Sequence, residues 1–355
     1  MTGKHVVCIG AGLIGSFTLP LLVRDRRITK ITIVDPDTYD EGTVACQNID
    51  LRSVGFHKCH AQAAILKCIR PDIEVVCFAD YVERVPLGAL RCDVICVCVD
   101  TKLARMSASE IAFRLGGIPI VDSGVLGSQL LARVTVYPSS SDGPCVECAF
   151  GDDDYRNLEV PFACQPNSAI APPTNSPSFL GALAAAHQAA ECSRILDGNS
   201  SDATIARELI IGADSNVHLV TQIRRNQSCR FDHLCWHIED TGGPRSSSAP
   251  ADMLSRPAST LSVFKGCFCV RRNCRACRHA APTLRFMRWG EDASAVCDVC
   301  GGTSEPLPFD WEERLTFENL LPAMQQRTLK SIGVQTGDVV TLTSADGERH
   351  YIVGN

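Results

Sequence analysis

The apolar positions of this chain fall into short strand-length runs over its first third. Val6–Ile9, Ile31–Val34, Val75–Phe78 and residues 94–99 are nearly unbroken apolar stretches, the form a strand takes when both faces of its sheet are covered. Between them Ser16–Val23, Lys58–Ile69 and Arg105–Leu115 read as helices, the second stopped before Pro71. Ile118–Asp122, Ala132–Tyr137, Leu209–Ile211 and His218–Ile223 read as further strands, and Ser178–Leu196 as a helix with an alanine-rich packing face. Strand alternating with helix predicts an α/β fold, a Rossmann-like, mostly parallel sheet with helices on both faces. Residues 138–177 hold seven prolines and few apolar runs, so they read as a long crossover loop. The pattern divides the chain into a first domain over 1–240, a Gly/Pro/Ser-rich linker over 241–262, a cysteine-rich module over 263–305, and a helix with a β-hairpin over 306–355. The hairpin centres on Ala345-Asp346-Gly347.

The first strand runs into Gly10-Ala11-Gly12-Leu13-Ile14-Gly15, and the second ends in Asp35. In this strand–turn–helix–strand–acid context, Gly10, Gly12 and Gly15 let backbone approach a phosphate. The helix N-terminus favours the phosphate charge, and the acid holds ribose hydroxyls. Asp100 stands at the end of a central strand with Arg105 five residues later. Such an acid holds Mg²⁺ beside a triphosphate or caps the following helix. The glycine motif alone would favour an NAD dehydrogenase, which has no need of that second acid.

Composition narrows the classes. The 34 basic and 40 acidic residues give a net charge of −6, no reason to expect nucleic acid or an anionic membrane as partner. No apolar run reaches the ~18–20 residues of a membrane span, and the first strand leaves no room for a signal peptide. The twenty cysteines divide into two kinds. Cys8, Cys77, Cys96 and Cys98 sit in apolar strands as small hydrophobes. Others come in pairs that suggest metal in a reducing, cytosolic compartment. Cys274-x-x-Cys277 and Cys297-x-x-Cys300, nineteen residues apart, have zinc-ribbon spacing. Cys145-x-x-Cys148 is a second zinc candidate. Its partners stay open between one of the later pairs and the nearby Cys229, His233 and Cys235. His187, His218 and His237 have no ligand spacing and read as surface or core histidines.

As an ordered set, Val7-Cys-Ile-Gly-Ala-Gly-Leu-Ile-Gly15, Ile31-Thr-Ile-Val-Asp-Pro-Asp37, Val54-Gly-Phe-His-Lys58 and Val97-Cys-Val-Asp100 with Arg105 resemble the ThiF/MoeB and ubiquitin-activating (E1-like) adenylyltransferase superfamily. Pro173-Thr-Asn-Ser and the alanine-rich helix resemble that family's crossing segment and the helix after it. The resemblance covers about 1–235 and implies Mg-ATP-dependent adenylation of the C-terminal carboxylate of a small ubiquitin-like or sulfur-carrier protein, then transfer to a thiol. It implies that Gly10, Gly12, Gly15, Asp35, Asp37, Gln47, Lys58 and Asp100 line the nucleotide site. Asp35 would then bind ribose, Lys58 the triphosphate and Asp100 the metal, with Lys58, Asp100 and Arg105 serving catalysis. Cys164, in Pro161-Phe-Ala-Cys-Gln165, is the candidate nucleophile. The resemblance also implies a homodimer and, as further partners, a conjugating enzyme or sulfurtransferase. Where the family carries Asn-x-x-Arg-Gln, this chain carries Thr43-Val-Ala-Cys46-Gln47, so another arginine must serve or activity is altered. Adenylation of a peptide or other carboxylate and an inactive nucleotide-binding scaffold are the alternative readings; the acidic balance counts against tRNA.

Overall fold

A computed structural model describes residues 3–159, 176–198, 206–254 and 258–355. The chain forms two compact units: Met1–Val82 with Cys92–Trp236, and Glu83–Arg91 with His237–Asn355.

The first unit is built in chain order from β1 (Lys4–Ile9), α1 (Gly15–Leu22), β2 (Ile28–Val34), α2 (Lys58–Ile69), β3 (Glu74–Phe78), β4 (Val94–Val97), α3 (Lys102–Arg114), β5 (Ile120–Leu126), β6 (Leu131–Tyr137), α4 (Asp152–Glu159), α5 (Ser178–Leu196), β7 (Arg207–Gly212) and β8 (Val217–Gln222). The eight strands form one sheet in the order β3-β2-β1-β4-β5-β6-β7-β8. β1 to β5 pair in parallel, and β6, β7 and β8 continue antiparallel. The sheet is therefore mostly parallel, with an antiparallel extension on one side.

The central strands are covered on both faces, which explains their unbroken apolar sequence. Val6 and Cys8 of β1 join a core with Cys96, Leu19, Leu22, Leu180 and Ala184. Val7 and Ile9, which alternate with them, are equally buried on the other face. Cys8, Cys96 and Cys98 are packing residues, as read from sequence; Cys96 and Cys192 place their sulfurs 3.1 Å apart within this core.

The second unit contributes β9 (Ile238–Glu239), α6 (Pro250–Met253), β10 (Thr260–Val263), β11 (Gly266–Cys274), β12 (Ala280–Arg288), β13 (Ala295–Val296), β14 (Thr303–Glu305), β15 (Trp311–Glu312), β16 (Leu315–Thr316), β17 (Val339–Ser344) and β18 (Gly347–Ile352). One sheet runs β16-β10-β17-β18-β9; the other runs β12-β11-β14-β13, with β15 also on β11. Phe268, Leu284 and Phe286 share a core with Leu261, Val263 and Val340, so the two sheets enclose one interior.

The hairpin expected at the end of the chain is β17–β18, with Ser344 opposite Gly347 across a two-residue turn. The described residues 306–355 hold short 3₁₀ turns and no α-helix; Pro308 and Pro322 each open one of these turns, and Gly333 (φ +102°) ends the turn Lys330–Ile332. The Gly/Pro/Ser-rich stretch is pinned rather than loose. Ser246 N–H donates to Gly354 O at 2.8 Å, Gly354 N–H to Pro244 O at 3.0 Å and Leu329 N–H to Ser248 O at 2.9 Å.

Candidate functional site

The strand order reverses between β1 and β4, so a crevice opens at their carboxyl ends, where open α/β sheets bind ligands. The glycine turn begins there. Gly10 has φ +92°, and a Cβ on it would stand 2.7 Å from the Cys98 carbonyl oxygen. A Cβ on Gly15 would collide with Gly10 O. Both glycines are therefore required by the turn's own packing. Gly12 is different: a Cβ there would meet nothing nearer than Gln47 Nε2 at 4.0 Å. The space over Gly12 suits the close approach of a group from outside the chain. Beside it, Gln47 Oε1 is buried without a hydrogen-bond partner among the described residues.

Asp35 follows β2 directly and is buried. Its carboxylate accepts the N–H groups of Ala11, at 2.6 Å, and of Asp37, at 2.9 Å, which pins the turn to the second strand. Burial pushes the Asp35 pKa up, against the lowering effects of Lys58 and those two N–H donors. Each oxygen keeps a lone pair with which to accept a ribose hydroxyl. Tyr39 is a strut the sequence reading missed. Its hydroxyl donates to Ala11 O at 2.6 Å and accepts from Gln62 Nε2 at 2.9 Å. The only sequence signal was one aromatic side chain in a polar stretch.

Lys58 is the first residue of α2, and its N–H donates to Asp37 O at 2.9 Å. Its ammonium lies 2.8 Å from Asp37 Oδ2 and 6.0 Å from the centre of the Tyr39 ring, with the side chain only 12% exposed. A phosphate would compete with Asp37 for this cation. Cys46, where the family carries arginine, is half-buried with Sγ 3.6 Å from Thr43 O. Burial and the nearby Asp40 push its thiol pKa up, which keeps the side chain a neutral thiol, and a thiol supplies none of the positive charge of an arginine.

Asp100 is exposed in the segment between β4 and α3. It does not cap α3: Thr101 Oγ1 accepts the Ala104 N–H at 3.2 Å and does that work. A carboxylate at this strand end is the hard oxygen donor that Mg²⁺ takes together with phosphate oxygens. Arg105 turns inward instead. Its guanidinium donates to the Asp122 carboxylate, to Ser123 O and to Val99 O, next to Asp100. Asp122 is buried and also accepts from Arg133 Nη2 at 2.7 Å, and Arg133 in turn pairs with Glu208 at 3.3 Å. This network under the crevice floor was not read from the sequence. Cys164 lies outside the described residues.

Two groups of four residues gather sulfur and imidazole ligand atoms. Cys145, Cys148, Cys229 and His233 bring their ligand atoms within 4.8 Å of one another. Cys145 Sγ lies 3.8 Å from Cys148 Sγ, 3.6 Å from Cys229 Sγ and 3.4 Å from His233 Nε2; Cys148 Sγ lies 3.6 Å from His233 Nε2. Tetrahedral zinc with bonds of ~2.3 Å to sulfur and ~2.0 Å to nitrogen spaces its ligands about 3.5–3.8 Å apart, so the donor set fits. A hydrogen bond from Cys145 holds the Cys148 thiol down to about 5. The partner set left open from sequence is thus Cys229 and His233. His233 is placed by its neighbours: φ is +57°, and its ring stands edge-on to Phe113. Arg114 grips Asp232 with both terminal nitrogens, at 2.9 and 2.7 Å.

In the second unit Cys274, Cys277, Cys297 and Cys300 also gather within 4.8 Å. Cys274 and Cys300 lie 3.4 Å apart, Cys277 and Cys297 3.7 Å. The Cys277 N–H, 3.5 Å from Cys274 Sγ, is the main cause holding that thiol down to about 6. Either cluster could hold a metal ion.

The ThiF family model matches residues 2–231. The adenylyltransferase and sulfurtransferase UBA4 of Candida glabrata is 30% identical over 172 residues, 47% of this chain and 38% of that protein. The protein of the same name from Kluyveromyces lactis is 30% identical over 153 residues, 42% of this chain and 34% of that one. The matched stretch thus spans well under half the length of these curated relatives. Among solved structures, E. coli MccB with succinimide superposes with TM-score 0.53 at 19% identity, covering 64% of this chain and 66% of that one. MccB with ATP gives TM-score 0.51 at 18% identity over the same shares. At these identities the likeness is one of fold. With the family model covering most of the chain on the unit that carries the glycine turn, Asp35, Lys58 and Asp100, this chain belongs to the ThiF family.

Proposed function

We propose that this chain uses ATP to adenylate the C-terminal carboxylate of a small ubiquitin-like or sulfur-carrier protein and then passes the acyl group to a cysteine thiol. The observation that carries this reading is the pairing of an open Gly12 and a buried Gln47 Oε1, unpartnered among the described residues, with a cation that a surface acid holds, Lys58 on Asp37. The carrier carboxylate attacks the α-phosphorus, the bond to the β-phosphate oxygen breaks, and pyrophosphate leaves. The glycine turn and Lys58 neutralise and align the phosphates, Asp35 holds the ribose, and Arg105 fixes the strand end that presents Asp100. Mg²⁺ held by Asp100 would supply charge neutralisation at the phosphates. A thiol then displaces AMP from the acyl adenylate. Cys164 is the proposed nucleophile.

On the same reading residues 1–240 make the adenylation domain with 138–177 as its crossover, and 263–305 make a zinc module used in docking or assembly. Zn²⁺ would be held by Cys145, Cys148, Cys229 and His233, and by Cys274, Cys277, Cys297 and Cys300, as closed structural sites. The working species would be a homodimer in a reducing, cytosolic compartment, where the free thiols of the chain persist. No helix among the described residues is long and apolar enough to cross a membrane.

Exchange of labelled pyrophosphate into ATP, stimulated by a small protein ending in glycine, supports the proposal. Stimulation by a short peptide instead moves the substrate to the alternative class. ATP binding without exchange points to an inactive scaffold, the outcome that Thr43 and Cys46 would explain. Cys164→Ala should leave exchange intact and abolish a reducible enzyme–carrier adduct; an adduct that persists removes Cys164 from the mechanism.

A further inference from the structure

A third sulfur group is used by neither cluster nor by the crevice. Cys59, His60 and Cys77 offer two sulfurs and an imidazole nitrogen that lie within 4.8 Å of one another. They come from two elements, the first turn of α2 and β3, the strand at one edge of the sheet. The Cys77 thiol donates to Cys59 O at 3.4 Å, so the two elements already touch through this group. Cys59 is buried, Cys77 half-buried and His60 exposed, so the group opens to solvent on its imidazole side. Packing accounts for Cys59 and Cys77 as small apolar side chains. It does not account for a ring nitrogen of an exposed histidine within reach of both sulfurs. Sequence spacing hides the group, because a helix and a turn separate Cys59 from Cys77 and there is no paired-cysteine motif.

We propose that Cys59, His60 and Cys77 form a third metal site, an exchangeable one for Zn²⁺ or another thiophilic divalent cation. Two thiolates and an imidazole are a soft donor set, which selects such ions over Mg²⁺ or Ca²⁺. Three protein ligands leave a fourth position to solvent, the arrangement of an open rather than a closed zinc site. Binding forms two metal–sulfur bonds and one metal–nitrogen bond, and any proton on the two thiols or the ring nitrogen is released to solvent. With fewer ligands and one of them exposed, the site holds its metal more weakly than the four-ligand clusters. Occupancy ties the first turn of α2 to the edge strand at the residue after Lys58. Metal at this site therefore restrains the cation that the proposed function assigns to phosphate, although the site itself does not depend on that assignment.

The test is a metal count by native mass spectrometry on the reduced full-length protein equilibrated with micromolar Zn²⁺. Wild type should carry one zinc more than either His60→Ala or Cys77→Ser. That additional ion should be stripped at chelator concentrations at least tenfold below those that empty the other sites. His60 is exposed, so His60→Ala should keep the fold, and an unchanged circular dichroism melt checks this. Equal zinc counts in wild type and in folded His60→Ala overturn the proposal.

Discussion

Asp122 and Lys58 show two different uses of charge at one crevice. Asp122 is buried between Arg105 and Arg133, so its carboxylate is held by the chain itself. Removing one partner of a buried pair leaves the other charges uncompensated. Asp122→Asn should therefore cost about 3–5 kcal/mol of stability by urea unfolding. A cost below about 1 kcal/mol would mean that solvent reaches the two arginines. Among the described residues Lys58 makes its ion pair with Asp37, which is largely exposed. Its replacement should leave the melting temperature within a few degrees and lower pyrophosphate exchange by about 10²–10³-fold, the usual scale for removing one preorganised charge donor. Arg105 was read from sequence as a catalytic cation, and its position five residues after Asp100 offered no way to tell inward from outward. The geometry gives it the Val99 carbonyl and Asp122, a positioning role that the one-dimensional spacing could not reveal.

At the scale of elements, the cysteine clusters bring distant pieces of chain together. Cys145 and Cys148 follow β6, whereas Cys229 and His233 follow β8. Replacing Cys229 by alanine should remove one zinc per chain in a metal count and lower the first melting transition, while leaving the Cys274–Cys300 cluster loaded. A zinc count unchanged by that substitution would show that this cluster binds none. The parallel half of the sheet was legible because strands covered on both faces leave unbroken apolar runs, as Val6–Ile9 and 94–97 do. The antiparallel turn of β6, β7 and β8 was not, since an apolar run carries no mark of direction. β8 is exposed along its whole length, so its identity rests on pairing with β7 rather than on burial. The 241–262 stretch misled for a related reason: its Gly, Pro and Ser residues announce turns but not that backbone bonds to 329 and 354 anchor them. Cys145 and Cys148 were legible as a pair; their partners were not, because the pairing with Cys229 and His233 is set by the sheet.

For the whole molecule, pH separates the contribution of the second unit. Burial pushes Asp338 up to about 6, against the lowering effect of Arg288, whose Nη2 lies 2.7 Å from it. Folding therefore favours the protonated carboxyl. That stabilisation is fully present below the unfolded value of ~3.9 and is lost as pH rises to about 6, a span worth up to ~3 kcal/mol. Unfolding followed by tryptophan fluorescence, with Trp289 and Trp311 in this unit, should show stability declining over that interval and a flatter profile in Asp338→Asn. Identical profiles would mean that the carboxyl is ionised throughout.

The proposed adenylation requires a Mg-ATP triphosphate lying along the glycine turn with its phosphates facing Lys58 and Asp100. A crystal structure of the full chain with ATP and Mg²⁺ reads this most directly. The predicted result is electron density for phosphates over Gly12, within hydrogen-bond distance of Lys58 Nζ, and a metal ion at Asp100. An empty crevice at saturating nucleotide, or a base bound with its phosphates turned away from both side chains, contradicts it.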